Sequence, residues 1–211
     1  MGRGRSLLAA REVESHPMPD ESTDITTAAS PFTAGDVEAI LWERGWLRTE
    51  RPPELETWLA DAAALLGRQA AEAARAGANE SAPDAGRQAL ADLLTLVFRY
   101  NARGILQTPE AHAVLARTGA RAVIRELANL VLDGPEVGSD RFREIVEKLR
   151  KRTGASGREI FQPLRLALAG RAGGGEFDRV ILLLDPAARL PFRARVKGTR
   201  ERMLEFCSAL D

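Results

Sequence analysis

Thr153-Gly154-Ala155-Ser156-Gly157-Arg158-Glu159-Ile160-Phe161-Gln162-Pro163-Leu164-Arg165-Leu166-Ala167-Leu168-Ala169-Gly170-Arg171 is the stretch whose reading decides the fold. Gly154 ends one apolar-periodic run, Ser156 is placed to cap the next, and Gly170 stops it, so a helix is predicted from about Arg158 to Ala169. Pro163 inside that helix removes one backbone bond and should kink it. Leu164, Leu166 and Leu168 cannot share one helical face, which makes Phe161, Leu164 and Leu168 the expected core set and leaves Arg165 on another face. An arginine on a rigid, kinked helix beside a glycine turn presents a planar fork to a base or a phosphate. It can equally bond the exposed carbonyls of a neighbouring helix end, and the residues alone leave both readings open.

Working outward, Ser139 caps a helix through Arg152, with Phe142, Ile145, Val146 and Leu149 inward and Arg143, Lys148, Arg150 and Lys151 outward. On the other side, a glycine-rich turn precedes a helix from Glu176 to Leu184, which Asp185-Pro186 is expected to stop, and a final helix from about Pro191 to Leu210, basic at its start. Earlier in the chain a helix is expected from near Asp36 to Arg44, capped by Thr33 or Asp36, with Trp42 and Trp46 as packing anchors. Others follow from Pro52-Pro53 to about Ala76, from about Ala85 to Ala102, after Thr108-Pro109, and from Ala120 to Leu132. Gly77 to Asp84 reads as a loop. The expected architecture is all-α: a helical bundle of two packed sub-domains, 33–134 and 135–211, after a disordered N-terminal segment, 1–32. The boundary is placed at the turn cluster Gly134 to Gly138, where protease is expected to cut, as it is before Ser30. Met18 is an alternative start to Met1.

Composition agrees with this class. Of the 211 residues 45% are apolar but only 5% aromatic, and an Ala-, Leu- and Arg-rich mixture suits helices better than sheets. With one cysteine, Cys207, no disulfide can form within the chain, and no His or Cys cluster offers a metal site, so no metal or other cofactor is expected and a reducing cytoplasm is the expected compartment. The apolar run Val180 to Leu184 is far below the roughly 20 residues needed to span a bilayer. Net charge is zero but unevenly spread: Met18 to Ala64 holds ten acids against three arginines, and Arg141 to Asp211 sixteen Lys or Arg against nine acids. A basic half suits a phosphate-backbone ligand, whereas an acidic half suits a protein partner; arginines also coat solvated helix faces for no further reason.

The stretch from Gly154 to Gly170 resembles the signature of bacterial glutamyl-tRNA synthetases in which a Gly-x-x-Gly-basic turn leads to Phe-x-Pro-Leu-Arg-x-Ala-Leu-Thr-Gly. Ala169 stands where that family has threonine. The flanking helices also correspond, so the resemblance covers about Ala120 to Leu184 and implies the C-terminal anticodon-binding, helical region of these class I synthetases. By that resemblance Arg165, Gly174, Gly175 and Phe177 approach anticodon bases. The family's proline in the turn is replaced by Gly173-Gly174-Gly175, which loosens the loop. Arg158, Arg171, Arg193, Arg195 and Arg200 complete the expected RNA-binding set as basic groups of the motif and tail. The partners implied are tRNA and a separate catalytic protein, with neither DNA nor membrane.

Catalysis is a different matter. Aminoacylation in this family uses a nucleotide-binding α/β domain with a His-x-Gly-His signature and a Lys-rich loop, and neither occurs in these 211 residues. The only histidines, His16 and His112, lie far apart. Gly170 to Gly175 lacks the Lys-Ser/Thr of a phosphate loop. No catalytic residue is expected. The readings are a tRNA-binding module without its own catalytic domain, a part of a split or truncated glutamate–tRNA ligase, and a helical protein-interaction adaptor.

Overall fold

The computed structural model describes residues 30–49, 51–77 and 84–211; the expectations for 1–29 and for most of the 77–84 loop fall outside them. The described residues form α1 (Ala34–Glu43), α2 (Pro53–Gly77), α3 (Ala85–Phe98), α4 (Ala102–Leu106), α5 (Pro109–Leu115), α6 (Ala120–Leu132), α7 (Ser139–Thr153), α8 (Arg158–Ala169), α9 (Glu176–Ala188) and α10 (Thr199–Leu210), with no strand among them. The all-α expectation holds. Among the described residues no helix is long and apolar enough to cross a membrane.

Local sequence accounts for most of the boundaries. Thr33 opens α1 with a capping box, its hydroxyl accepting from Asp36 N–H while the Asp36 carboxylate accepts from Thr33 N–H. Asn101 and Thr108 cap α4 and α5 through their side chains. Gly154 and Gly170 end α7 and α8 in the left-handed region that only glycine adopts cheaply. Along α7, Lys148 and Arg141 together hold the Glu144 carboxyl down to about 2.

Tertiary packing overrides four local expectations. The helix expected over 85–102 breaks after Phe98, because Tyr100 and Ala102 turn inward and Asn101 starts a new cap. Helix α9 runs through Pro186 to Ala188 instead of stopping at Asp185, since proline's φ suits a helix and Asp185 and Ala187 are both buried there. The last helix begins at Thr199, not Pro191: Phe192 leaves the helical path to pack edge-on against both Trp58 and Phe98, with ring centroids 5.2 and 4.9 Å away. Arg193 and Arg195 therefore sit on an irregular segment. Trp46 stacks on Phe98 at 4.5 Å as an anchor, but Trp42 is 44% exposed and bonds Glu38 from the outer face of α1.

Helix α8 lies at the centre, packed on α5, α6, α7, α9 and α10. Ile160, Pro163, Leu164, Leu166, Ala167, Leu168 and Ala169 are all buried, whereas Phe161 is half-buried. The expected core set omitted Leu166 and overrated Phe161 because a helix enclosed by neighbours does not obey a one-stripe pattern. Ser156 contributes only backbone to the entry of this helix, whose capping position is Gly157. The turn at 134–138 does not interrupt the packing: α2 and α3 meet α9, α6 meets α8 and α10, and buried side chains from both sides form one hydrophobic cluster. Trp58 Nε1 donates to Leu183 O across 125 residues of chain, tying α2 to α9.

Candidate nucleic-acid interface

The turn from Arg171 to Gly175 is where the family resemblance implies base contacts, and two buttresses shape it. From one side Glu110 of α5 accepts from Ala172 N–H at 2.9 Å and lies 3.5 Å from Arg171 Nε. From the other, Arg165 Nη1 donates to Gly173 O at 2.8 Å. Gly173 fits because a Cβ there would come 2.9 Å from Cε2 of Phe177, so the turn lies against that ring. Gly175 then caps α9 with ordinary right-handed backbone, and Phe177 is half-buried below.

Arg165 is not an open fork. Its Nε and Nη2 donate to the two Asp178 carboxylate oxygens at 2.6 and 2.7 Å, and its guanidinium carbon sits 4.9 Å from the Phe161 ring centroid. The two paired side chains are 14% and 22% exposed, so this is a largely desolvated bidentate bond joining α8 to α9. The carbonyl it meets, Gly173 O, belongs to the turn between α8 and α9 and not to the end of a neighbouring helix. The carboxylate was not foreseen. Asp178 lies thirteen residues on, across the turn, where no helical spacing points to it.

Two exposed arginines flank α8. Arg158, at its N-terminal end, shares a groove of about 400 Å³ with Arg117, Gln162 and Pro163. Arg171, at the other end and 60% exposed, shares one of about 550 Å³ with Arg99, Tyr100 and Ile105. Twelve helical residues separate the ends by on the order of 18 Å. Arg99 and Arg117, which line these grooves, were not among the residues expected from sequence; the run Arg99-Tyr100-Asn101-Ala102-Arg103 at a helix junction was the available signal for the first.

The tail arginines do not join this cluster as a group. Arg193 is exposed and its N–H donates to Trp46 O. Arg195, 82% exposed, pairs with Glu201 at 3.0 Å. Arg200 bonds Leu132 O at the end of α6. Arg202 is wholly buried. Among the described residues no group of three His, Cys, Asp or Glu side chains is placed to hold a metal ion.

Residues 88–190 match the family described as anticodon binding domain. The chain is 39% identical over 75 residues to glutamate–tRNA ligase 2 of Syntrophus aciditrophicus, a stretch covering 36% of this chain and 15% of that protein. It is 35% identical over 78 residues to the glutamate–tRNA ligase of Carboxydothermus hydrogenoformans, covering 37% and 16%. With the glutamate–tRNA ligase of Bdellovibrio bacteriovorus it shares 27% over 97 residues, covering 45% and 20%. The chain thus spans about a sixth of the length of the first two of these curated relatives. No solved structure matches it. Residues 88–190, from within α3 to just beyond α9, match the anticodon binding domain family, and the chain is similar there to glutamate–tRNA ligases.

Proposed function

We propose that this protein is a tRNA-binding module in which the 171–175 turn and the flanking arginines Arg158 and Arg171 meet the anticodon arm, and in which these 211 residues carry no ligase chemistry of their own. The observation that carries the reading is the anticodon-binding match over 88–190, which includes α8 and the buttressed turn. Arg165, Gly174, Gly175 and Phe177 belong to the turn side of the interface. Arg193, Arg195 and Arg200 are peripheral phosphate contacts. Glutamate–tRNA ligase is the activity named for relatives of which this chain covers 15–20%. The second reading is that these residues are part of a split or truncated glutamate–tRNA ligase.

Binding titrations of a glutamate tRNA transcript at several salt concentrations test the first reading. Each arginine that neutralises a phosphate contributes about 0.7–0.9 to the slope of log K against log salt, so Arg158→Gln with Arg171→Gln is expected to flatten it by about 1.4–1.8. Replacing Arg193 and Arg195 should weaken tRNA and unrelated RNA alike. Absence of wild-type binding even at low salt would remove the proposal and favour the adaptor reading, to which the acidic first helices are suited.

A further expectation concerns chemistry. The purified chain should form no glutamyl-tRNA from ATP, glutamate and tRNA, because the nucleotide signatures that stabilise the transferring phosphoryl charge do not occur in it. Product above a buffer control would contradict this.

A further inference from the structure

Arg165 and its carboxylate partner carry an inference that rests on the tRNA-binding reading and goes beyond it. An arginine has five N–H groups, and here three are already spent: two on Asp178 and one on Gly173 O. The guanidinium is also held against Phe161. What remains for a ligand is one N–H on each terminal nitrogen, on a group whose charge is offset by a carboxylate in bidentate contact. A free arginine binds any phosphate by charge; one held in this way offers directional donors and little net field.

We propose that Asp178 is a positioning residue for RNA recognition, which binds Arg165 into the wall of the 171–175 turn and so keeps it from acting as an indiscriminate phosphate-binding cation. The carboxylate fixes the guanidinium plane, the guanidinium fixes the Gly173 carbonyl, and Gly173 rests on Phe177. The shape of a turn with no proline to stiffen it is thereby set by side-chain bonding. RNA contacts at the turn then depend on the shape and base edges of the ligand, while Arg158 and Arg171 supply the charge.

The test is Asp178→Asn, which keeps one acceptor oxygen but removes the charge. With wild type, Asp178→Asn and the double variant Asp178→Asn, Arg165→Gln, binding to tRNA and to an anticodon-altered tRNA is measured across salt concentrations. Asp178→Asn is expected to steepen the salt dependence by about 0.7–0.9, the value of one added phosphate contact, and to narrow the margin between the two tRNAs. The double variant should return the slope to that of wild type. Wild-type binding combined with an unchanged slope in Asp178→Asn overturns this inference and leaves tRNA binding intact; no wild-type binding overturns both. A readout without RNA guards against loss of folding: in the wild-type protein, Arg165 Nε–H should exchange with solvent much more slowly than that of exposed Arg158. Equal exchange rates would equally overturn the inference.

Discussion

Arg202→Ala is expected to lower the unfolding free energy by about 3–5 kcal/mol. Arg202 is 0% exposed, yet among the described residues no carboxylate bonds it. Its partners are carbonyls: Leu168 O from Nη1 at 2.9 Å, Leu96 O and Val97 O from Nη2 at 2.9 and 2.6 Å, and Lys197 O from Nε at 2.9 Å. Three of these close the last turns of α3 and α8, where helices leave carbonyls unpaired and their dipoles present partial negative charge. The Tyr100 ring covers the guanidinium at 4.7 Å, and burial pushes Arg202 down to about 10, still charged at neutral pH. Alanine would leave four acceptors without a donor at about 1–3 kcal/mol each, partly relieved by water entering the space. Urea unfolding of Arg202→Ala and Arg202→Met separates the causes. Methionine fills much of the volume but donates nothing, so it should be nearly as damaging. A methionine variant as stable as wild type would show that packing, not carbonyl bonding, is the role of this residue.

Arg202 also shows where sequence reading stops. In the sequence it is one more arginine in a basic tail, and only the convergence of α3, α8 and the 191–198 segment makes it a core residue. Helix ends that depend on local chemistry were legible: Thr33 as a cap, Gly154 and Gly170 as stops, and the span Arg158–Ala169 itself. Those that depend on a distant partner were not, because Phe192 unwinds its segment only for the sake of Trp58 and Phe98. The same division holds at the candidate interface. Its position came from a contiguous motif, while the bidentate pairing of Arg165 with Asp178 and the seat of Ala172 on Glu110 join residues that sequence spacing does not relate. The turn at Gly134 to Gly138 was legible as a turn, but its tie to the rest of the fold was not.

That tie is Asp185, and its replacement by alanine is expected to cost about 2–4 kcal/mol. Asp185 is 6% exposed, and its carboxylate accepts three bonds, each 2.7 Å long, from Val137 N–H, Thr199 N–H and the Thr199 hydroxyl. Thr199 is the first residue of α10, so a side chain from α9 caps that helix in place of a local residue, and a negative charge at its N-terminus is favoured by the dipole as well. Gly198 allows the approach, since a Cβ there would come 2.7 Å from Asp185 Oδ1. Through Val137 the same carboxylate seats the 134–138 turn against α9, and Val137 itself is buried. This revises the expectation that protease cuts the wild-type chain near Gly134 to Gly138; the turn should resist until Asp185 is removed. In Asp185→Ala, two buried amides lose their acceptor and α10 loses its cap, so the turn should become the first cleavage site. Hydrogen exchange supplies the decisive measurement. Val137 and Thr199 amides should lose protection beyond the global drop in stability, whereas amides of α1 should lose only the global amount. Unchanged relative protection at Val137 and Thr199 would mean that Asp185 does not hold these elements together.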